Sequence, residues 1–588
     1  MHWKNKEFSN MQSISFKDLK RNLKRDTSAL PSVKVALVGD SATQFLATAI
    51  QGAAIERGIK LDFYEADYNQ VEMQVADPDS ELHAFAPDYV IVFQSTHKLL
   101  EKYSLANPTT RINLFNERIE FAKSLTSAFD SQIIYFNYPE IDDSVFGNYA
   151  NAVSESFLYQ LRKLNMELME IAASDSHFHI CDLSSIQNKF GRNFMYPASI
   201  YMTTEMLLSL DILPTVAFRV IDIIAAIRGT FKKCLILDLD NTLWGGVIGD
   251  DGIEKIRLGH GLGIGKAFTE FQEWIKKLQQ RGIILAVCSK NTESIAKEPF
   301  EKHPEMVLHL DDIAVFVANW NSKVENIRYI QQVLNIGMDS IVFLDDNPYE
   351  RNVVREQIPA LTVPELPKDP AEYLEYLYSL NLFETASYSA ADAQRTKQYQ
   401  VESKRAELKK SFASEQDFLK NLEMKSSVET PNDFNIPRIA QLSQRSNQFN
   451  LRTVRYSEDD IRKIVNESDE YHCFSFTLED KFGDNGLVSV VVLQKNKDGE
   501  LFIENWFMSC RVLKRGMENF VLNTIAGYAI KNGFNRLVGE YIPTLKNGLV
   551  QDHYLNLGFV RSKESDKQFF ELDLNQFKPL QAFISIKE

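Results

Sequence analysis

Residues 233–249 read KCLILDLDNTLWGGVIG, and this stretch decides the fold that we predict for the rest of the chain. The run from Cys234 to Leu237 is continuously apolar, which is typical of a strand buried on both faces of a parallel sheet. Two carboxylates, Asp238 and Asp240, follow it directly. Because residues i and i+2 of an extended segment point the same way, both face the crevice beyond the carboxyl end of the strand, where open α/β sheets bind ligands.

Neighbouring carboxylates in such a crevice are unfavourable unless a cation lies between them. A hard divalent cation suits them, and Mg²⁺ is usually held by one or two carboxylates together with a substrate phosphate. The alternative interpretation of the D-x-D pattern is a solvated turn after a core strand.

Further polar side chains at other predicted element ends favour the metal site. The strand predicted over 283–288 precedes a hydroxyl, a lysine and an amide, and the strand predicted over 341–344 precedes a second acidic pair. A lysine begins the helical pattern KVENIRYIQQVL. These residues are Ser289, Lys290, Asn291, Asp345, Asp346 and Lys323.

The motifs LILDLDNTLWGGVIGDDG, AVCSKN, HPEMVL, ANWNSK and VFLDDNPYER follow one another between residues 230 and 370. They resemble the haloacid dehalogenase (HAD) superfamily of phosphotransferases, and within it the FkbH-like proteins of subfamily IIIC. The resemblance implies a Rossmann-like core with a parallel sheet, an aspartyl-phosphate mechanism and Mg²⁺ as the cofactor.

The same resemblance implies a role for each residue of the site. Asp238 matches the nucleophile, and Asp240 matches the general acid/base, whose pKa its acidic neighbours should raise. Ser289 and Lys323 match the groups that hold the transferring phosphoryl, where positioning and charge stabilisation matter most. Lys290 and Asn291 are further phosphate-binding candidates, and the metal candidates are Asp238, Asp240, Asp345 and Asp346.

The distances between these motifs leave no room for a large cap domain. Leu243 to Ala267 spans 24 positions, enough for a β-flap, and Ser289 to Lys323 spans 34, enough for a helix and a strand. Water around an aspartyl phosphate must still be controlled, so we expect a flanking domain or the substrate to close the crevice. We favour the C-terminal domain as this lid, because Arg511, Lys514 and Arg515 offer positive charge.

The N-terminal region predicts a second α/β domain of the SGNH or flavodoxin type. An apolar strand over 33–38 leads into Gly39-Asp40-Ser41, which resembles the opening of SGNH hydrolases, where that serine is the nucleophile. That family takes its base from a late D-x-x-H motif, and no aspartate between residues 160 and 230 has a histidine at +3. We therefore expect a degenerate domain; the alternative bases are His97 and His177.

The C-terminal region resembles GNAT acyltransferases through the series N-x-x-V-x-x-H-Y-x-x-x-G-F, which ends at Phe559. We predict a helix over 510–528. Glu518 occupies the position where a working acyltransferase needs a small residue for close approach to a pyrophosphate. Glu518 therefore counts against coenzyme A, although Arg511, Lys514 and Arg515 still suit a phosphate or a phosphopantetheine arm. Tyr554 is either a general acid or a buried aromatic residue.

The fold prediction is a multidomain α/β protein. It comprises an SGNH-like α/β domain, a HAD-like domain without a large cap, a helical connector without strands and a GNAT-like α+β domain. Their predicted ranges are 1–228, 229–370, 371–430 and 431–588.

Composition excludes several functional classes. A net charge of −15 makes bulk attraction to nucleic acid or anionic membranes unfavourable. We see no signal peptide and no run of about 18 apolar residues that predicts a membrane span. Five cysteines without CxxC spacing are typical of reduced thiols, which favours a cytoplasmic protein.

Three functions remain. The first is a Mg²⁺-dependent phosphatase that acts on a phosphorylated small metabolite. The second, implied by the FkbH-like resemblance, dephosphorylates 1,3-bisphosphoglycerate and loads the glyceryl group onto an acyl carrier protein; Cys288 and Cys510 are its thiol candidates, although both also suit a core. The third is a non-catalytic scaffold, against which the intact set of HAD motifs counts.

Overall fold

The computed structural model describes residues 14–67, 70–107, 110–113, 115–388, 395–409, 411–496, 499–544, 546–562 and 568–587. Contacts divide the chain into two compact units, Met1–Ala225 and Ala226–Glu588. The first boundary lies three residues before the predicted one. The second unit contains the other three predicted regions. No helix in the described ranges has both the length and the apolar character needed to cross a membrane.

The first unit is built on a five-stranded parallel sheet. Its strands are β1 (Ser32–Gly39), β2 (Lys60–Glu65), β3 (Tyr89–Phe93), β4 (Gln132–Phe136) and β5 (Phe178–Cys181). Their order across the sheet is β2-β1-β3-β4-β5. The helices are α1 (Phe16–Asn22), α2 (Gln44–Glu56), α3 (Val71–Ala76), α4 (Glu81–Phe85), α5 (Thr96–Leu105), α6 (Asn116–Ala128), α7 (Phe157–Ser174), α8 (Leu183–Phe190), α9 (Arg192–Met195) and α10 (Ala198–Thr204), with α11 (Leu213–Ile227) reaching the boundary.

The second unit begins with a four-stranded parallel sheet. Its strands are β6 (Cys234–Leu237), β7 (Ile284–Ser289), β8 (Ile313–Ala318) and β9 (Ile341–Leu344). The sheet order is β8-β7-β6-β9, so β6 is central and its carboxyl end opens between two neighbours. The helices are α12 (Ile248–Asp251), α13 (Ile264–Gln280), α14 (Glu293–Lys302), α15 (Lys323–Leu334) and α16 (Pro348–Gln357).

Helices cover both faces of this sheet, which explains why β6 is apolar throughout. Leu235 and Leu237 pack against a cluster that includes Phe271 of α13. Cys234 and Ile236 point the opposite way, into a cluster with residues of α15 and α16. Alternate side chains of one strand therefore belong to two cores, as expected for a doubly covered parallel sheet.

The region predicted as a helical connector differs from that prediction at its end. It contains α17 (Tyr373–Leu380), α18 (Arg395–Lys409) and α19 (Glu415–Asn421), but also the short strands β10 (Met424–Ser426) and β11 (Val428–Glu429). Tyr373 and Leu377 of α17 are buried in the core of the β6 sheet. Helix α17 is therefore a packed layer of that domain and not a free linker.

The C-terminal region carries a larger mixed sheet. The elements are α20 (Ile436–Arg445), α21 (Glu458–Asn466), β12 (Tyr471–Asp480), β13 (Gly483–Lys495), β14 (Glu500–Met508), α22 (Met517–Lys531), β15 (Arg536–Glu540), α23 (His553–Asn556), β16 (Val560–Arg561), β17 (Phe569–Asp573) and β18 (Ile584–Ile586). The strand order across the sheet is β16-β17-β15-β14-β13-β12-β10-β18, with β11 paired to β12. The helix predicted over 510–528 begins only at Met517, because Lys514 and Gly516 have φ angles of 63° and 78°, which end any regular helix.

Candidate active site

The centre of the site is Asp238, the first residue after β6. Its carboxylate is almost fully buried, and Oδ2 lies 3.0 Å from Nζ of Lys323. The other oxygen, Oδ1, is also buried but accepts no hydrogen bond from the residues that the structure describes. A buried charged oxygen without a partner is costly, which points to a ligand at this atom.

Lys323 joins the two acidic motifs. It is the first residue of α15, it is 3% exposed, and its ammonium group contacts the carboxylates of both Asp238 and Asp345. Burial alone would lower the pKa of Lys323, but the two carboxylates outweigh burial and hold it above its ordinary value. The lysine is therefore a fixed positive charge at the carboxyl edge of the sheet.

Three carboxylates converge beside this lysine. Asp238, Asp345 and Asp346 each offer one oxygen, and these oxygens all lie within 4.8 Å of one another. Burial, followed by the charge of Asp238, raises the pKa of both Asp345 and Asp346. An all-oxygen set with an unpartnered buried oxygen fits a hard divalent cation such as Mg²⁺.

The carboxylate of Asp240 lies outside that group and is held by hydrogen-bond donors. Its Oδ1 accepts from Nε1 of Trp244 and from the backbone N–H of Ile248, each at 2.9 Å, and its Oδ2 accepts from Nδ2 of Asn291 at 3.1 Å. The structure thus does not bring the Asp240 side chain to the metal group with the other three predicted ligands. Burial raises the pKa of Asp240, which suits a group that carries a proton.

The residues after β7 occupy three different environments. Ser289 is the last residue of the strand and is buried, so it lies level with the aspartates of the neighbouring strand. Lys290 is partly exposed and forms an ion pair of 2.6 Å with Glu350. Asn291 orients Asp240, as described above, so its amide has a positioning contact that the sequence pattern did not reveal.

Two further residues hold the backbone of the site through hydrogen bonds to carbonyl oxygens. Sequence reasoning did not identify them. Arg351 is buried and donates from NH1 to the carbonyl oxygens of both Asp345 and Asp346, each at 2.7 Å. Tyr373 donates from its hydroxyl to the carbonyl oxygen of Asn241 at 3.2 Å. Arg351 stands inside the motif VFLDDNPYER, six positions after Asp345, so that spacing was a usable signal; Tyr373 lies beyond all the motifs.

The insertions between the motifs are small, as their lengths predict. The first forms a flap in which Gly245 pairs with Arg257 and which encloses a single turn, α12. The second holds α14 and β8. Neither is large enough to be a cap domain.

The C-terminal region does not supply the lid that we predicted. It contacts the opposite, amino edge of the β6 sheet: Lys233 donates to the carbonyl of Arg445, and Asn335 donates to the carbonyl of Cys510. Both Lys233 and Asn335 precede a strand of that sheet. A domain bound at the amino edge cannot cover a site at the carboxyl edge.

The predicted carrier-contact residues are likewise separate from the aspartates. Arg515 is buried in ion pairs with Glu402 and Asp480, and Arg511 contacts the side chain of Gln398. Lys514 is exposed on the turn before α22. Arg511 thus contacts α18, and Arg515 pairs with residues of α18 and of the C-terminal sheet. Neither arginine lies beside the aspartates.

Of the two candidate thiols, Cys288 has the core position that the sequence also allowed, and Cys510 lies away from the aspartates. Cys288 is fully buried within β7, and burial raises its pKa far above the usual range. Cys510 is partly exposed, at the end of β14, where its carbonyl contacts the amino edge of the β6 sheet. Neither arrangement offers a reactive thiolate beside Asp238.

In the first unit, none of the described hydrogen bonds joins Ser41 to a base. Its Oγ is buried without a hydrogen-bond partner among the described residues, and Asp40 accepts two hydrogen bonds from the backbone N–H of Ser95. His97 stacks against two tyrosines, and burial lowers its pKa to about 4. His177 lies 3.7 Å from Asp175, within its own loop.

Comparison with known proteins identifies similar sequences and structures. Residues 34–225 match the family model described as FkbH, N-terminal domain. One similar crystal structure is that of the N-terminal part of the protein BF1531 from Bacteroides fragilis, which contains a phosphatase domain complexed with Mg. Its sequence is 63% identical to this chain. That match covers 63% of this chain and 99% of the crystallised one, with a TM-score of 0.63. A search of curated proteins finds no match.

Weaker likenesses cover about a quarter of this chain. The ribosomal-protein-S18-alanine N-acetyltransferase from Escherichia coli is 16% identical over 25% of this chain and 94% of its own, with a TM-score of 0.20. Spermidine N-acetyltransferase from Vibrio cholerae is 12% identical over 26% and 97%, with a TM-score of 0.21. Likenesses of this size support no conclusion about the chain.

Proposed function

Because the chain belongs to the same family as BF1531, whose crystallised part contains a phosphatase domain with Mg, we propose that it is a Mg²⁺-dependent phosphatase of the HAD type that uses an aspartyl-phosphate intermediate. The substrate class is a phosphorylated small molecule. The observation that carries the proposal is the state of Asp238: one oxygen is held by Lys323, and the other is buried with no hydrogen-bond partner in the described part of the chain.

The cofactor is Mg²⁺, as the sequence predicts and as the relative's crystal structure contains. Asp238, Asp345 and Asp346 are the residues that would hold it. When bound, it supplies positive charge that offsets repulsion between the phosphoryl oxygens and these carboxylates. Lys323 adds a second, permanent positive charge on the same side.

In the first step, Asp238 acts as the nucleophile. One of its oxygens attacks phosphorus, the bond from phosphorus to the ester oxygen of the metabolite breaks, and that oxygen leaves with the bonding pair. The leaving oxygen takes the proton held on Asp240, whose raised pKa suits this transfer. Lys323 and Ser289 hold the phosphoryl oxygens while the charge moves.

In the second step, Asp240 changes from acid to base. Its carboxylate takes a proton from water, whose oxygen attacks the phosphorus of the aspartyl phosphate. The bond between phosphorus and the Asp238 oxygen then breaks, which regenerates the carboxylate and releases inorganic phosphate. Trp244 and Asn291 keep the Asp240 carboxylate oriented through both steps.

The intermediate provides the decisive experiment. We expect an acid-quenched reaction, analysed by peptide mass spectrometry, to reveal one added phosphoryl group on Asp238. With a chromogenic phosphate, whose phenolate leaves without a proton from Asp240, Asp240→Asn should accumulate the label because the second step loses its base. Asp238→Asn should lose both the label and turnover. Turnover of Asp238→Asn within about tenfold of wild type would contradict the covalent mechanism.

The alternative, glyceryl transfer to an acyl carrier protein, has less support. It needs a thiol that can reach the aspartates, and Cys288 is enclosed in β7 while Cys510 lies at the other edge of the sheet. A thiol of the carrier itself would have to enter the crevice. A mass increase on added carrier protein is the measurement that would favour this alternative.

A further inference from the structure

A cavity lies at the amino edge of the β6 sheet, between that sheet and the C-terminal region. Its volume is about 270 Å³. The sheet contributes Lys233, Ile284 and Ser340, which immediately precede β6, begin β7 and immediately precede β9. The loop after β14 contributes Ser509 and others to the facing wall.

This cavity is separate from the aspartate crevice. Lys233 and Asp238 bracket the four residues of β6, so at about 3.3 Å per residue they lie roughly 16 Å apart. The strand between them is buried on both faces. A ligand in the cavity would therefore contact none of the residues assigned to phosphoryl transfer.

The wall of the cavity is strongly basic. Of the described residues that line it, five carry a positive charge and one, Asp339, carries a negative charge. Asp339 pairs with Lys546 at 2.6 Å, whereas Lys233 donates to a backbone carbonyl and Arg511 contacts a glutamine. The five basic residues are Lys233, Arg438, Arg445, Arg511 and Lys546.

A wall of this charge favours a compact ligand with several negative charges. Guanidinium and ammonium groups are the usual partners of phosphate oxygens. The volume is at the lower end of the range for small-molecule sites, which excludes bulky ligands.

We propose that this cavity is a second binding site, which takes a compact phosphate-bearing polyanion of the pyrophosphate class. The site goes beyond the proposed phosphatase function, because it shares no residue with it. Long-range electrostatic attraction does not bring the polyanion to the protein, since the chain as a whole carries a charge of −15. The local arrangement of the five cations supplies the selectivity.

The test is isothermal titration calorimetry with inorganic pyrophosphate on the full chain carrying Asp238→Asn, in EDTA, so that the crevice neither turns over nor holds metal. We expect one site per chain, weaker binding of inorganic phosphate and none of acetate. Arg438→Gln with Lys546→Gln should weaken binding by about tenfold or more. The matched control, Lys531→Gln with Arg561→Gln, makes the same change in net charge at exposed positions and should leave binding within about twofold.

A second variant tests the site through a gain in pyrophosphate affinity, which a misfolded protein cannot produce. Asp339→Asn removes the one negative charge of the wall and should tighten pyrophosphate binding by about threefold or more. The proposal is overturned if the parent protein binds no pyrophosphate, if both double variants weaken binding equally, or if Asp339→Asn has no effect. Loss of binding in Lys323→Gln would overturn it too, because the ligand would then occupy the crevice.

Discussion

Arg351 offers a sharp test of how the second acidic motif is held. Its guanidinium group donates to the backbone carbonyls of Asp345 and Asp346 and also pairs with Glu365. Arg351→Met would leave two carbonyls of a buried loop without this donor. At about 1–3 kcal/mol for each unsatisfied group, we expect the free energy of unfolding to fall by about 2–6 kcal/mol.

The effect on function should exceed the effect on stability. Arg351 acts through Asp345 and Asp346, which are metal candidates, and removing such a supporting contact typically costs 10–100-fold in metal affinity, about 1–3 kcal/mol. We therefore expect the Mg²⁺ concentration for half-maximal hydrolysis of a chromogenic phosphate to rise by about that factor. At saturating Mg²⁺, much of the rate should return.

Arg355→Met is the matched control. Arg355 lies one turn later on α16, pairs with the same Glu365 and donates to the carbonyl of Val363, but it does not touch the aspartate loop. It should lose about 1 kcal/mol of stability and keep the wild-type Mg²⁺ requirement. If both variants changed the Mg²⁺ requirement equally, the bracing role of Arg351 would be refuted.

Three more predictions follow from other contacts. Trp244→Phe removes one of the three donors to Asp240 and should lower kcat by about threefold to tenfold with little change in KM, measured on a chromogenic phosphate; an unchanged kcat would remove Trp244 from the positioning role. Ser41→Ala should leave phosphatase activity unchanged, and serine-directed fluorophosphonate should not label the wild-type residue; fast labelling would mean an active hydrolase. Burial raises the pKa of Asp40 to about 6, so the folded protein binds this proton more tightly than the unfolded chain, and stability is lost as pH rises from about 4 to 6. Asp40→Asn should lack this loss, so that the free energies of unfolding of the variant and the wild type, measured by urea denaturation, diverge by about 2 kcal/mol between pH 4.5 and 7; a constant difference would contradict it.

Sequence reasoning succeeded where the signal is local. The apolar runs predicted β6 and β9 to the residue, and the acidic pairs after them predicted where the three converging carboxylates lie. These features depend on neighbours in the chain, because a buried parallel strand must be apolar on both faces and its carboxyl end must open into the crevice.

It failed where the decisive partner is distant in sequence. The basic residues before α22 looked available for a ligand, but Arg515 is neutralised by Glu402, which lies 113 residues away. Tyr373 supports the loop at Asn241 across 132 residues, from a helix that was predicted to be a connector. A charge or a hydroxyl in a sequence does not reveal which of many partners folding will bring to it.

The C-terminal region lies at the amino edge of the β6 sheet, and this position determines how a product can pass from one site to the other. The aspartate crevice opens at one end of β6, and the basic cavity lies at the other, with a solid layer of strand between them. No product can be channelled through that layer from one site to the other. A compound made in the crevice must enter the solvent, where it is diluted and can be intercepted by other enzymes, before it reaches the cavity.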